Sequence, residues 1–303
     1  MPEESTPDTR CGYIAIVGKP NVGKSTLVNK ILGQKLNITS RKPQTTRHQL
    51  LGIKTTPGCQ FLYVDTPGIH GHEGRAMNRY MNRSALAVLQ DVDVAVLVLE
   101  RLEYDEDDAR VVEFVSRSPG RQIVVINKVD QVEPKERLLP HLAMLSSKLP
   151  EAEFVPLSAL KGDNVEVLEE IAERALPQGP FYFPDDQITD RSERFLVAEI
   201  IREKMMRQLS AELPYALTVQ IEAFRTEGQL TQVEAVVLVE RDSQKAILIG
   251  KGGQRLKRIG SQAREDIERL LDRKVMLRTW VRVKTNWSDD ERALKSLGFG
   301  EDP

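Results

Sequence analysis

The sequence predicts an α/β protein in two parts: a doubly wound domain with a mostly parallel sheet, then a smaller α+β domain. Three observations predict this. A glycine-bounded loop, Gly18-Lys19-Pro20-Asn21-Val22-Gly23-Lys24-Ser25, lies between an apolar run and a helical pattern. Four more apolar runs follow, with helical segments between them, and three end in a compact polar motif. Beyond Leu176-Pro177-Gln178-Gly179-Pro180, which no helix can continue, alternating strands surround a second glycine-rich turn.

The first loop follows Tyr13-Ile14-Ala15-Ile16-Val17 and opens the pattern Thr26-Leu27-Val28-Asn29-Lys30-Ile31-Leu32. Strand, G-x-x-x-x-G-K-[ST] and helix together make a phosphate cradle. Gly18 and Gly23 permit backbone angles that turn successive N–H groups inward, and the helix dipole adds positive potential. Lys24 is placed to reach the outer phosphates, and the Ser25 hydroxyl to hold Mg²⁺. Next, Arg41-Lys42-Pro43-Gln44-Thr45-Thr46-Arg47-His48 reads as an exposed loop before a strand near Leu50–Lys54. A second Mg²⁺ hydroxyl is expected from Thr45 or Thr46. Pattern alone does not choose between them.

Phe61-Leu62-Tyr63-Val64 ends in Asp65-Thr66-Pro67-Gly68. A carboxylate at the end of a buried strand beside a phosphate loop can orient a metal ion and its waters. Gly68 can bring its N–H to a terminal phosphate. Val94–Leu99 is continuously apolar, as in a strand buried on both faces. Ile123-Val124-Val125-Ile126 leads into Asn127-Lys128-Val129-Asp130. The Asp130 carboxylate can accept from the N1–H and amino group of guanine, an edge that adenine lacks. Asn127 is expected to reach the other edge, with the Lys128 stem packed on the ring. Left without a partner, such a carboxylate rejects the wrong base strongly. Phe154-Val155-Pro156-Leu157 leads into Ser158-Ala159-Leu160, whose backbone N–H groups can face the base carbonyl.

These five motifs, in this order, resemble the translation-factor-like GTPases. The resemblance implies that Gly18–Ser25 with Thr26, Thr46, Asp65–Gly68, Asn127–Asp130 and Ser158–Leu160 bind GTP or GDP with Mg²⁺. Lys24, Asn21, Thr46 and Gly68 are then the candidate catalytic residues, and Ser25, Thr46 and Asp65 the metal ligands. One departure stands out. Many relatives follow the glycine with a water-orienting glutamine, and this chain has Ile69. In a subgroup of these GTPases an asparagine at the Asn21 position helps bind K⁺, which is the expectation here.

In the second part, a helix is expected from Asp190, with Glu193 at capping-box spacing and Phe195, Ala198, Ile201, Met205 and Leu209 on one face. Strands are expected from Leu217 and over Ala235–Val239. Ile247-Leu248-Ile249 leads to Gly250-Lys251-Gly252-Gly253, then a basic amphipathic helix to about Leu271 and a strand from Val275 to Val283. A G-x-x-G turn between helices lets a nucleic-acid backbone approach closely. The helix-strand-strand-helix-helix-strand order resembles the type II KH domain. Expected RNA contacts are Ile249, Gly250, Lys251, Gly252, Gly253, Arg255, Lys257 and Arg258; Ile247, Ile249 and Leu256 either line an apolar groove beside the bases or belong to the core. Ser288 and Glu291 form a further capping pair before Gly298. The expected segments are a tail over 1–11, a GTPase domain over 12–178, a linker over 179–190, a KH domain over 191–285 and a terminal helix and tail over 286–303.

Composition fits this plan. A chain of 303 residues is about two domains, and 40% hydrophobic with 29% charged residues is ordinary for a globular protein. No run approaches the ~20 apolar residues of a membrane span. The polar residues 1–12 read as a tail instead of a signal peptide. Cys11 and Cys59 make neither a disulfide framework nor a metal knuckle. The net charge of −2 conceals a block from Lys245 to Lys284 with twelve Lys/Arg and four acids. Such a block on an acidic remainder points to a polyanion partner.

The whole arrangement resembles the Era family of bacterial ribosome-assembly GTPases. That resemblance implies binding to the 3′ end of 16S ribosomal RNA, a role in 30S subunit assembly and a cytoplasmic location with peripheral contact at the inner membrane. The expected state is a monomer. Relatives with two GTPase domains are excluded by the single phosphate loop. Two rivals are a phosphotransferase, disfavoured by Asn127–Asp130 and the lack of a lid, and a GTPase whose basic part binds lipid.

Overall fold

The computed structural model describes residues 9–40, 42, 44–69, 75–209 and 217–299. The expected tails at 1–8 and 300–303 lie outside the described residues. Arg10 and Cys11, assigned to the tail, instead begin the first strand. Contacts divide the chain into two compact units, with the main break between Asp190 and Arg191.

The first unit alternates strands and helices: β1 Arg10–Val17, α1 Lys24–Leu32, β2 Leu50–Thr55, β3 Cys59–Asp65, α2 Ala76–Val88, β4 Val94–Glu100, α3 Glu106–Ser116, β5 Arg121–Asn127, α4 Leu138–Lys148, β6 Glu153–Pro156 and α5 Val165–Ala175. The sheet order is β2-β3-β1-β4-β5-β6. All neighbours run parallel except β2, which is antiparallel to β3. Ile14, Ile16, Val96 and Val125 face a core completed by Leu27, Val28 and Leu168. Ala15, Leu97 and Val124 face the opposite core with Leu89, Val111 and Leu145. Burial on both faces accounts for the unbroken apolar runs. The order reverses at β1, so the crevice at the strands' C-terminal ends opens where Gly18 begins.

The stretch 179–190, expected as a linker, is a strap on this unit. Phe181 and Phe183 pack against a cluster of Cys11, Leu51, Ile53, Leu62 and Val64. The Ile53 N–H donates to the Ile188 carbonyl (2.9 Å), and Gly52 bridges to Thr189. Fully buried Gln60 holds the strap. Its Oε1 accepts from the N–H groups of Tyr182 (2.9 Å) and Phe183 (3.0 Å), and its Nε2 donates to the Phe183 carbonyl (2.8 Å).

The second unit contains α6 Glu193–Gln208, β7 Leu217–Glu227, β8 Leu230–Val239, α7 Asp242–Ile249, α8 Gln254–Leu271, β9 Lys274–Val283 and α9 Glu291–Ser296. β8 lies between β7, antiparallel, and β9, parallel. Val197, Ile201 and Met205 of α6 meet Val233, Ala235 and Val237 of β8 and Ile259, Ala263 and Ile267 of α8. The element order is the expected one, and three local details differ. α6 is capped by Ser192, whose hydroxyl accepts the Phe195 N–H, so the Asp190 pairing with Glu193 does not form. β8 starts at Leu230, because Thr231 and Val233 are fully buried and extend the alternation upstream of Ala235. α9 is capped by Asp290, because buried Ser288 donates its hydroxyl to Glu240 (2.6 Å).

Replacing Gln60 with Ala removes three hydrogen bonds to the strap and leaves backbone groups beneath Phe181 and Phe183 unsatisfied. Urea unfolding should show a loss of about 2–3 kcal/mol, and limited proteolysis should cut first within 179–190. Unchanged stability would show that the strap holds through its phenylalanines alone.

Candidate nucleotide and nucleic-acid sites

The phosphate loop is shaped by close backbone approaches. Gly18 and Gly23 have φ of +151° and +104°. A Cβ on Gly23 would lie 2.3 Å from Asn127 Nδ2, and one on Gly18 would lie 2.4 Å from the Val98 carbonyl oxygen. α1 begins at Lys24 with no side-chain cap and no acidic residue in its first turn. Its leading N–H groups therefore face the cradle, as an anion site requires. Thr26 stands in that first turn, partly buried. The buried Lys24 ammonium donates to the carbonyls of Gly18 (2.9 Å) and Lys19 (3.0 Å). Burial pulls its pKa down to about 8, opposed by the charge of Asp65. A phosphate in the cradle is the counter-charge this ammonium lacks.

Beside it, Ser25 Oγ lies 2.8 Å from Thr46 Oγ1 and donates to Asp65 Oδ2 (2.8 Å). Thr45 instead donates its hydroxyl to the Lys42 carbonyl (2.6 Å), so Thr46 is the threonine that joins the cluster. Burial raises the Asp65 pKa, against the Lys24 charge and hydrogen bonds from Ser25, Asn37 and Thr46. Asp65 Oδ1 is buried without a hydrogen-bond partner. Two hydroxyls and an unsatisfied carboxylate oxygen are the hard donors Mg²⁺ takes, so the residues fit the ion. Thr66 donates its hydroxyl to the Ile16 carbonyl (2.8 Å) and acts as a strut to β1. After Pro67, a Cβ on Gly68 would lie 2.7 Å from Pro20, so only glycine permits this approach to the loop. Ile69 is buried among Ala85, Leu89 and Leu97, so its side chain cannot orient a water.

The base motifs converge at the ends of β5 and β6. Asn127, which the motif directs to the base, is also held by protein at both side-chain atoms, with one of its two Nδ2 hydrogens used. Nδ2 donates to the Val22 carbonyl (2.8 Å), and Oδ1 accepts from the N–H groups of Lys128 (2.7 Å) and Ala159 (3.0 Å). Ser158 Oγ donates to Asp130 Oδ1 (2.7 Å), which fixes the carboxylate expected to read the base. Lys128 Nζ donates to the Asn21 carbonyl (2.8 Å) and pairs with Glu100 (2.8 Å). Asn21 itself is exposed, with φ +67°. Leu160 is 75% exposed. Lys19 lies 2.7 Å from both Asp105 and Asp108 at the start of α3. The Lys19 hydrogen bond holds Asp105 down at about 2, whereas burial pushes Asp108 up. Glu100 lies in no motif and Lys19 fills a variable position of the phosphate loop, so their roles are visible only in their tertiary partners.

In the second unit, Gly250, Gly252 and Gly253 have φ of +72°, +58° and +76°. A Cβ on Gly252 or Gly253 would meet nothing within 4 Å, so the turn is open to an approaching backbone. Lys251, Lys257 and Arg258 are exposed. Arg255 is exposed too, but donates to the Ile247 carbonyl (2.6 Å) and so also closes the end of α7. A cleft of about 450 Å³ lies between α8 and β9, walled by Leu256, Gly260, Val275, Leu277 and Thr279, with Arg264 among its lining residues. Ile249 packs on the core, and Ile247 is 49% exposed outside the cleft. Arg264 and the β9 wall were missed because the G-x-x-G pattern marks only one side of a groove.

Two family descriptions match the chain: a 50S ribosome-binding GTPase over residues 13–128 and a KH domain over residues 212–288. The chain is 58% identical over 293 residues to GTPase Era of Pseudomonas putida (strain W619), covering 97% of this chain and 98% of that one. It is 57% identical to GTPase Era of Azotobacter vinelandii, covering 99% of each. A crystal structure of Era with MgGDPNP and nucleotides 1506–1542 of 16S ribosomal RNA superposes with a TM-score of 0.93 at 38% identity, covering 96% of this chain and 99% of that one. An Aquifex aeolicus Era variant bound to GDP and AlF4⁻ also gives 0.93, at 37% identity over 96% of this chain and all of that one.

The lowered Lys24 pKa has a measurable sign. Below pH 8 the free ammonium is charged and meets a diphosphate directly. Above pH 8 it is neutral, and a bound diphosphate, which favours the charged form, must bring a proton with it. Calorimetry of GDP binding at pH 8.5, in buffers of different ionisation enthalpy, should record net proton uptake that is absent at pH 7. No uptake at either pH would refute the lowered pKa.

Proposed function

The chain belongs to the Era family of GTPases, and on that premise we propose how its two units divide the work. It is a GTP-hydrolysing molecular switch that binds 16S ribosomal RNA near the 3′ end and acts in assembly of the 30S subunit. The first unit binds GTP or GDP. Gly18–Ser25, with Thr26, receive the phosphates, and Asp130 reads guanine against Ser158–Leu160. Asn127 locks the phosphate and base loops together, which is the observation that most supports a pre-shaped nucleotide site. Ser25, Thr46 and Asp65 are the residues that would hold Mg²⁺, which supplies positive charge to the phosphate oxygens when bound. Thr66, Pro67 and Gly68 carry the approach of the following loop to the terminal phosphate.

The second unit binds RNA through Gly250–Gly253, the exposed cations of α8 and the cleft beside Leu256. Glycines in an open turn admit the backbone, and Lys251, Lys257, Arg258 and Arg264 meet phosphates. The protein acts as a monomer in the cytoplasm. Any contact with the inner membrane is peripheral, since among the described residues no helix is long and apolar enough to cross one.

RNA binding should be measured with a GTP analogue, GDP and no nucleotide, for the parent and for Gly253→Asp. The variant, placing a carboxylate where phosphate approaches, should lose at least tenfold in affinity. Asp130→Ala should lose GTP affinity by a similar or larger factor while RNA affinity without nucleotide is unchanged. RNA binding that ignores nucleotide would remove the switch, and undiminished binding by Gly253→Asp would remove the KH assignment.

Ile69 cannot orient a water, so hydrolysis must draw its transition-state stabilisation from another group. We assign it to K⁺ held with the help of Asn21. GTPase rates should be higher in K⁺ than in Na⁺, and Asn21→Ala should abolish that difference. Equal parental rates in the two salts would dismiss the ion.

A further inference from the structure

Asn37 belongs to no motif and lies in the irregular stretch between α1 and β2. It is nevertheless buried and hydrogen-bonded through both its backbone and its side chain. Asn29, on the second turn of α1, grips it from both sides: Oδ1 accepts from the N–H groups of Leu36 (2.9 Å) and Asn37 (2.7 Å), and Nδ2 donates to the Asn37 carbonyl (2.7 Å). The Asn37 side chain is 3% exposed. Its Nδ2 donates to Asp65 Oδ2, the same oxygen that accepts from Ser25. Its own Oδ1 and Asp65 Oδ1 are both buried without hydrogen-bond partners.

Two orphaned oxygens beside two hydroxyls are costly in a dry interior, at about 1–3 kcal/mol for each unsatisfied group. Such a group persists where something else makes use of it. We propose that Asn37 is a positioning residue of the Mg²⁺ site, setting the rotation of the Asp65 carboxylate so that Oδ1 is kept free of protein hydrogen bonds for the ion and its waters. Asn29 sets Asn37 in turn. The chain of control runs from α1 through two asparagines to the carboxylate at the end of β3. Outer-shell groups of this kind commonly change metal affinity by 10- to 100-fold when removed. This inference rests on Ser25, Thr46 and Asp65 being the Mg²⁺ ligands.

The test follows release of a fluorescent GDP from the full chain as a function of Mg²⁺, with an EDTA arm, for the parent, Asn37→Ala and Asn37→Leu. The leucine variant keeps the number and branching of the side chain's heavy atoms while removing both polar atoms, and so guards against a cavity defect in the alanine variant. The Mg²⁺ concentration that half-maximally slows release should rise at least tenfold in both variants, with release in EDTA within twofold of the parent. Asn29→Ala should move the midpoint in the same direction. A midpoint unchanged in Asn37→Leu overturns the role of Asn37, as does release accelerated equally with and without Mg²⁺, which would mark a merely structural residue. Parental release indifferent to Mg²⁺ would instead overturn the ligand set, and the inference would fall with it.

Discussion

One buried side chain makes the nucleotide site a single object. Asn127, at the end of β5, binds the carbonyl of Val22 in the phosphate loop and the N–H of Ala159 beyond β6. Three loops contributed by β1, β5 and β6 are thereby held at fixed separation. The contact is unforgiving, because Gly23 has no room for a Cβ beneath the Asn127 amide. In a dry setting, two or three satisfied hydrogen bonds specify one geometry better than apolar packing does, since every displacement leaves a donor or acceptor unpaired. Phosphate and base recognition therefore need not be assembled at the moment of binding, which lowers the ordering entropy that binding must offset.

Around that frame the site concentrates charge where water is excluded. Lys24 and Asp65 are both fully enclosed, and burial shifts each towards its neutral form. Neither is comfortable alone, and the ligands that relieve them have opposite signs: a phosphate for the ammonium, a cation for the carboxylate. A nucleotide carrying its metal satisfies both together. The destabilised unliganded site is thus matched to one kind of visitor, in keeping with the perturbed groups found at functional positions.

The second unit applies a different rule. Its open turn has three glycines of positive φ, at two of which an added Cβ would meet nothing within 4 Å, and its cleft is lined by small and aliphatic residues with Lys257 and Arg264. There the recognition surface is made of access and counter-charge, with little preset hydrogen bonding.

Much of this was legible in the sequence because it depends on local chemistry. Val94–Leu99 announces a strand covered on both faces, and the glycines of both loops announce backbone shapes other residues avoid. What escaped depends on contacts distant in sequence. Nothing in Leu50–Thr55 states that β2 runs antiparallel. Thr45 and Thr46 are chemically identical, and only their facing partners, the Lys42 carbonyl and Ser25, separate them. Ser288 has the pattern of a helix cap, yet a bond to Glu240 outcompetes that role. The motif names Asn127, but its additional bonds to Val22 and Ala159 are tertiary and leave no mark on the local pattern. The pairing of Asn37 with Asp65 spans twenty-eight residues and leaves no trace in composition.

The strap over 179–190 has a consequence for solubility. β2 is the outermost strand on its side of the sheet, and an open outermost strand offers a ladder on which another molecule can add its own. Ile188 and Thr189 occupy that ladder at Ile53 and Gly52. The opposite margin is protected differently: β6 has four residues and ends in Pro156, which has no N–H to donate. A sheet dominated by valine, leucine and isoleucine is thereby closed to edge-to-edge association on both sides.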